Sequence, residues 1–220
     1  MSSKCQIVDE RYQIIKPLGE GGMAVVYLVT DLKEDKKLAL KVMMGHLNDA
    51  VSIKRFQREF EASRKLNHPN IVKLYDIGRL KNGGWYYTMD YLPLPNLKER
   101  LLDKGAMAEK DVLGLLRKLA SAMSHYHAKE IVHRDLKPAN ILIEPKGNPI
   151  IVDFGLARDA EMTALTATGS LLGTPFYMAP EMVRGDRADA LADIWAIGVI
   201  TYELLTGQKP YVAEDINSLM

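Results

Sequence analysis

The sequence predicts an α+β fold in two parts, a small antiparallel β part carrying one main helix and a larger, mainly helical part. Three observations predict it. Before residue 93, short β-branched and aromatic runs alternate with glycine-containing turns, the pattern of hairpins. Within that region only residues 52–66 show apolar residues at helical spacing, whereas residues 111–129 and 191–205 carry that spacing over long stretches. Between the two long stretches lies His133-Arg134-Asp135-Leu136-Lys137-Pro138-Ala139-Asn140. Its polar groups and proline exclude a helix interior, and the apolar runs on either side hang it as a loop between packed elements.

The bulk properties narrow the class. A chain of 220 residues can form one large domain or two small lobes. Lys+Arg 29 against Asp+Glu 28 leaves a net charge of +1, which argues against binding nucleic acid or a membrane surface through bulk charge. No stretch reaches the ~18 apolar residues of a membrane-spanning helix. The polar start, residues 1–11, does not read as a signal peptide. Cys5 is the only cysteine, which excludes an internal disulfide and fits a reducing, cytoplasmic setting.

In chain order, residues 12–27 read as two strands around Gly19-Glu20-Gly21-Gly22-Met23-Ala24. Glycines there let backbone N–H groups approach phosphate oxygens without a Cβ clash. Residues 36–42 form the next strand. Its Leu38-Ala39-Leu40-Lys41 sets a lysine among apolar neighbours, so the ammonium must find an anion or snorkel. The helix at 52–66 starts from Ser52 as N-cap, aligns Ile53, Phe56 and Phe60, and carries Glu59 and Glu61. Residues 71–75 and 85–89 read as two strands about Lys81-Asn82-Gly83-Gly84. Met89-Asp90-Tyr91-Leu92 then runs into the stiff Pro93-Leu94-Pro95.

Asn96 caps a short helix over 96–102. The helix at 111–129 lines one side with Val112, Leu115, Leu116, Leu119 and Met123, and its His125 and His127 read as ordinary helix residues without a metal-ligand pattern. In the polar loop, Asp135 can orient a hydroxyl and accept its proton, Lys137 can neutralise a moving phosphoryl group, and Asn140 offers an amide oxygen to a hard cation. Residues 141–143 and 149–152 are two short strands that deliver Asp153-Phe154-Gly155, a carboxylate at a buried strand end that needs a cation. Residues 156–172 form a small-residue polar loop with Thr163, Thr166, Thr168 and Ser170. The helix at 191–205 holds Asp193 near its start, where a buried carboxylate must be paired. Thr206-Gly207 ends it.

These motifs together resemble the protein kinase superfamily, and specifically the bacterial eukaryotic-like (Hanks-type) serine/threonine protein kinases. The resemblance covers about residues 11–211 and rests on the glycine turn, Ala39 and Lys41, the His133–Asn140 loop, Asp153-Phe154-Gly155 and Gly173-Thr174-Pro175-Phe176-Tyr177-Met178-Ala179-Pro180-Glu181. One departure is Ala24, where the family carries its third glycine. The resemblance implies a bilobal protein-kinase-like fold, with a flank at 1–10, a small ATP-binding lobe at 11–91 and a large catalytic lobe at 92–220 that lacks its last helices. It implies that Glu59, by its spacing to His68-Pro69-Asn70-Ile71, partners Lys41. It makes Asp135 and Lys137 catalytic, with Asn140 and Asp153 as the metal pair. It assigns ATP contacts to Leu18, Gly19, Glu20, Gly21, Gly22, Met23, Ala24, Val25, Val26, Ala39, Lys41, Met89, Asp90, Leu92, Asn96 and Leu142. Arg134 would read a phosphate on Thr166 or Thr168, Thr174 would border the substrate, and Asp193 would hold the catalytic-loop backbone.

The implied activity is transfer of the ATP γ-phosphate to serine or threonine hydroxyls of proteins, with ATP and Mg2+ as cofactors and Mn2+ as a substitute. The implied partners are protein substrates, with a homodimer for autophosphorylation of the activation loop. Asn96 and Ala139 stand where kinases preferring upstream arginine carry acidic residues, so no strong preference for basic substrates is expected. Two readings compete: a non-catalytic nucleotide-binding scaffold, and an inactive fragment of a longer kinase.

Overall fold

The computed structural model describes residues 6–21, 24–43, 50–81, 83–155 and 175–211. The chain divides into two compact units. The first comprises residues 1–64 and 73–93, and the second residues 65–72 and 94–220.

The first unit is one antiparallel sheet with one helix. Its strands are β1 (Ile7–Val8), β2 (Tyr12–Glu20), β3 (Ala24–Asp31), β4 (Lys36–Met43), β5 (Leu74–Arg79) and β6 (Trp85–Asp90), in the order β1-β2-β3-β4-β6-β5. Helix α1 spans Ala50–Arg64. Strand alternation splits the side chains between two faces. Leu38 and Leu40 join Val8, Tyr12, Val29 and Tyr86 in a core on one face. On the other face Phe56 and Phe60 of α1 meet Tyr87 at ring distances of 6.5 and 6.0 Å, and Phe56 meets Trp85 at 6.1 Å. A glycine is required at Gly78, where an added Cβ would sit 2.3 Å from the Tyr86 hydroxyl oxygen.

Three features before residue 93 differ from the sequence expectations. Strand β1 departs from the expected flank at residues 1–10: Ile7 and Val8 pair with Gln13 and Tyr12 across the three-residue turn Asp9-Glu10-Arg11. Asp9 and Glu10 hold the turn with φ of 48° and 56°, both in the left-handed region. Charge contacts compensate: Tyr86 donates to Asp9, and Arg11 grips buried Asp31 through two bonds of 2.8 and 2.6 Å. Second, the helix expected at 52–66 runs two residues earlier, so Ser52 lies inside its first turn and is not the N-cap. Third, no continuous strand covers 71–75. Ile71 makes a single parallel bridge to Ile151, Val72 donates to the Ile151 carbonyl at 2.9 Å, and β5 begins only at Leu74. The backbone of 71–72 is thus spent within the second unit.

The second unit contains helices α2 (Leu97–Lys104), α3 (Glu109–His127), α4 (Pro180–Val183) and α5 (Ala190–Thr206), with a hairpin of β7 (Ile141–Ile143) and β8 (Pro149–Ile151). Asn96 caps α2 as expected, and Glu99 returns the bond to the Asn96 N–H, completing a capping box. Val112, Leu115, Leu119, Ala122, Met123 and Tyr126 form the buried stripe of α3. Asp189 caps α5, and Gly207 closes it in the left-handed region at φ 73°.

Candidate active site in the second unit

The His133–Asn140 loop is held from below by one carboxylate. Asp193 is 1% exposed, and its Oδ1 accepts the Arg134 N–H at 2.9 Å. Its Oδ2 accepts the His133 N–H at 2.9 Å, the Tyr126 hydroxyl at 3.0 Å and His127 Nε2 at 2.9 Å. Burial alone would push this carboxyl up. The His127 bond and the two loop N–H donors outweigh it and hold the carboxyl below its ordinary range. The anchor is therefore a carboxylate at neutral pH. It also fixes an unusual backbone, since Arg134 has φ 63°.

On this anchor the loop gathers its functional groups. Lys137 Nζ donates to Asp135 Oδ2 at 2.8 Å. The Asn140 amide donates to the Asp135 carbonyl at 2.9 Å and to its Oδ2 at 3.1 Å. The Asp135 N–H donates to His133 Nδ1 at 3.2 Å, and His133 Nε2 meets the Val152 carbonyl at 3.1 Å, so the buried imidazole is a neutral bridge. Burial is what keeps its proton affinity low, against the raising pull of Asp193 and Asp135. The Val152 N–H donates to the Asn140 carbonyl at 3.0 Å, which ties the loop to the strand end that delivers Asp153. Asp153 has φ 65°, and Phe154 beside it is buried against His133 and Tyr126 at ring distances of 4.7 and 5.4 Å. Asp135, Lys137 and Asn140 are thus bonded to one another, and Asp153 follows the residue whose N–H is bonded to Asn140.

The residues expected at the nucleotide lie in two places. In the first unit, register pairs Val26 with Lys41 and Lys41 with Tyr87, and pairs Ala39 with Met89, so Val26, Ala39, Lys41 and Met89 share the face that α1 covers. Glu59 sits on that helix, between Phe56 and Phe60. Val25 pairs with Val42, so its side chain turns to the opposite face. Leu18, Gly19 and Glu20 end β2, and the Gly21 N–H closes the turn onto the Ala24 carbonyl at 2.9 Å. The Asp90 N–H is bonded to the Lys73 carbonyl at 3.0 Å, and Leu92 follows β6. In the second unit, Asn96 and Leu142 form a bridge of their own. Gly22, Met23, Thr163, Thr166, Thr168, Ser170 and Thr174 lie outside the described residues.

The end of α3 departs from expectation. His127, expected to be an ordinary helix residue, is 17% exposed and bonded to Asp193. Tyr126, which no sequence motif marks, shares that partner. Only a full helical count from Val112 would have marked Tyr126 as inward-facing, and no local pattern marks its partner. His125 faces elsewhere, with its ring 5.5 Å from His68.

Comparison with known proteins shows the family. The protein kinase domain family matches residues 12–220. The chain belongs to the protein kinase family. It is 40% identical over 213 residues to serine/threonine-protein kinase PrkC of Bacillus subtilis, covering 96% of this chain and 33% of that protein. It is 39% identical over 208 residues to probable serine/threonine-protein kinase PknB of Lactococcus lactis, covering 94% and 33%. Serine/threonine-protein kinase PknB of Mycobacterium leprae is 34% identical over 213 residues, covering 94% and 34%. The kinase chain therefore spans about a third of the length of these curated relatives. Kinases of this family generally use ATP and Mg2+ and act on proteins. Among the described residues no helix is long and apolar enough to cross a membrane.

Proposed function

We propose that this chain transfers the γ-phosphate of ATP to serine and threonine hydroxyls of proteins. The observation that carries the reading is the Asp135–Lys137–Asn140 cluster on a loop pinned to buried Asp193. In the step, the acceptor oxygen forms a bond to the γ-phosphorus, the bond from that phosphorus to the ADP oxygen breaks, and the hydroxyl proton passes to the Asp135 carboxylate. Lys137 stands beside that carboxylate, where it offsets charge on the moving phosphoryl group. Catalysis is then mostly positioning and charge stabilisation.

The donor set fits a hard cation. The Asn140 NH2 group is committed to Asp135, so its carbonyl oxygen is the atom it offers, and Asp153 adds a carboxylate from the strand bonded to Asn140. Mg2+ held there would neutralise the ATP phosphates, and Mn2+ would substitute. For the purine, the engaged Asp90 N–H leaves the Asp90 carbonyl, together with the Leu92 backbone, as the expected edge contact. Lys41, with Glu59 as its partner, would meet the phosphates under the Gly19–Gly22 turn.

Arg134 would bind a phosphate placed on Thr166 or Thr168, added within a homodimer, and Thr174 would border the acceptor. The reaction would run in the cytoplasm, where ATP is supplied and a lone Cys5 stays reduced. Asn96 spends its side-chain oxygen on the α2 cap and Ala139 carries no charge, so upstream arginine should give substrates little advantage. A peptide array dominated by upstream arginine would contradict this.

The deciding experiment is γ-phosphate transfer from ATP and Mg2+ to a serine- and threonine-containing acceptor, with Asp135→Asn beside the wild type and self-modified residues mapped. Transfer that falls by roughly 10²–10⁴ in the variant is expected. Nucleotide binding without transfer, from a folded wild-type chain, would favour the scaffold reading instead.

A further inference from the structure

Tyr126 is fully buried, and its two ends do different things. Its hydroxyl donates to Asp193 Oδ2 at 3.0 Å. Its ring meets that of Phe154 edge-to-face, at 5.4 Å and 84°. Phe154 lies against the His133 ring at 4.7 Å, and the His133 N–H returns to the same Asp193 oxygen at 2.9 Å. The Gly155 N–H closes onto the His133 carbonyl at 3.0 Å. Tyr126, Asp193, His133 and Phe154 therefore form a closed ring of contacts. The loop bearing Asp135 leaves this ring at His133, and the strand end bearing Asp153 enters it at Phe154.

We propose that Tyr126 is a positioning residue that keeps Asp135 and Asp153 in mutual register. Its hydroxyl acts on the Asp135 loop through Asp193, and its ring acts on Asp153 through Phe154. The catalytic use of that register rests on the phosphotransfer reading above; the ring of contacts does not. The competing role is core filling, since a buried tyrosine needs some hydroxyl partner wherever it sits. The two roles separate because phenylalanine fills the same space without the hydroxyl.

The test compares the 220-residue chain with Tyr126→Phe and Tyr126→Leu, by site-resolved amide hydrogen exchange and by steady-state transfer kinetics. In Tyr126→Phe the His133 and Arg134 amides should exchange about tenfold faster, while amides inside α5 keep their rates. Tyr126→Leu should also release the Gly155 amide, because the edge contact to Phe154 is gone. In kinetics, Tyr126→Phe should lower kcat about fivefold and leave the KM for ATP within about twofold. Unchanged loop exchange in Tyr126→Phe, or acceleration spread evenly through α5, overturns the proposal in favour of core filling. A wild-type kcat in a Tyr126→Phe chain with loosened loop amides overturns its catalytic half. A wild-type chain that transfers no phosphate sinks the phosphotransfer reading alone, and the exchange pattern still decides the role of Tyr126.

Discussion

Single residues set the chemistry here by spending their donors. Asp193 collects two backbone N–H groups, a phenol and an imidazole on one buried carboxylate, and this converts an unfavourable burial into an anchor. Replacing it with asparagine keeps the shape but turns one acceptor oxygen into an NH2 group, leaving buried donors without partners. Asp193→Asn should cost about 2–3 kcal/mol of stability, read as a lower urea midpoint at unchanged slope. A midpoint equal to wild type would mean that the loop is held by something other than this carboxylate. His127 belongs to the same anchor, and His127→Ala should lose about 1 kcal/mol or more in the same measurement.

At the level of elements, close packing and end-capping decide what each piece tolerates. β5 can pass Tyr86 on β6 only because Gly78 has no side chain; an alanine Cβ would fall 2.3 Å from the Tyr86 hydroxyl oxygen and 2.4 Å from its ring carbon. Tyr86 is buried and bonded to Asp9, so it has little room to swing. Gly78→Ala should therefore destabilise by about 1–3 kcal/mol, and shortening Tyr86 to alanine in the same chain should make the glycine replacement nearly neutral. Additive losses in thermal unfolding would refute this. For α2, Asn96→Ala removes the acceptor for the Glu99 N–H and should cost about 1 kcal/mol, read in the same way.

Across the whole chain, two imidazoles tie stability to pH. His133 is buried and accepts the Asp135 N–H on Nδ1; His68 accepts the Asn70 N–H on Nδ1 and sits beside His125, which Lys129 contacts at 3.2 Å. Burial lowers the proton affinity of both, and for His68 the neighbouring His125 adds to it. Below about pH 6.5 the unfolded chain takes up protons that the folded chain refuses, so stability must fall as pH drops through that value. The melting temperature should decline between pH 7.5 and 5.5, and His68→Gln should flatten the decline. A profile flat in the wild type would show that neither imidazole is held neutral.

The chain's own order of motifs determined its family and most of its candidate site. Asp135, Lys137, Asn140 and Asp153 were legible because their chemistry is packed into short stretches between apolar runs, and Asn96 was legible because a helix cap is a local device. Strand β1, the late start of β5, and the roles of His127 and Tyr126 were not legible. Each depends on a partner far along the chain: Asp9 on Tyr86, Val72 on Ile151, and both α3 residues on Asp193. Local propensity and spacing register what a residue prefers next to its neighbours. Only the folded backbone decides which distant donor meets which acceptor, because desolvation obliges every buried polar group to find one.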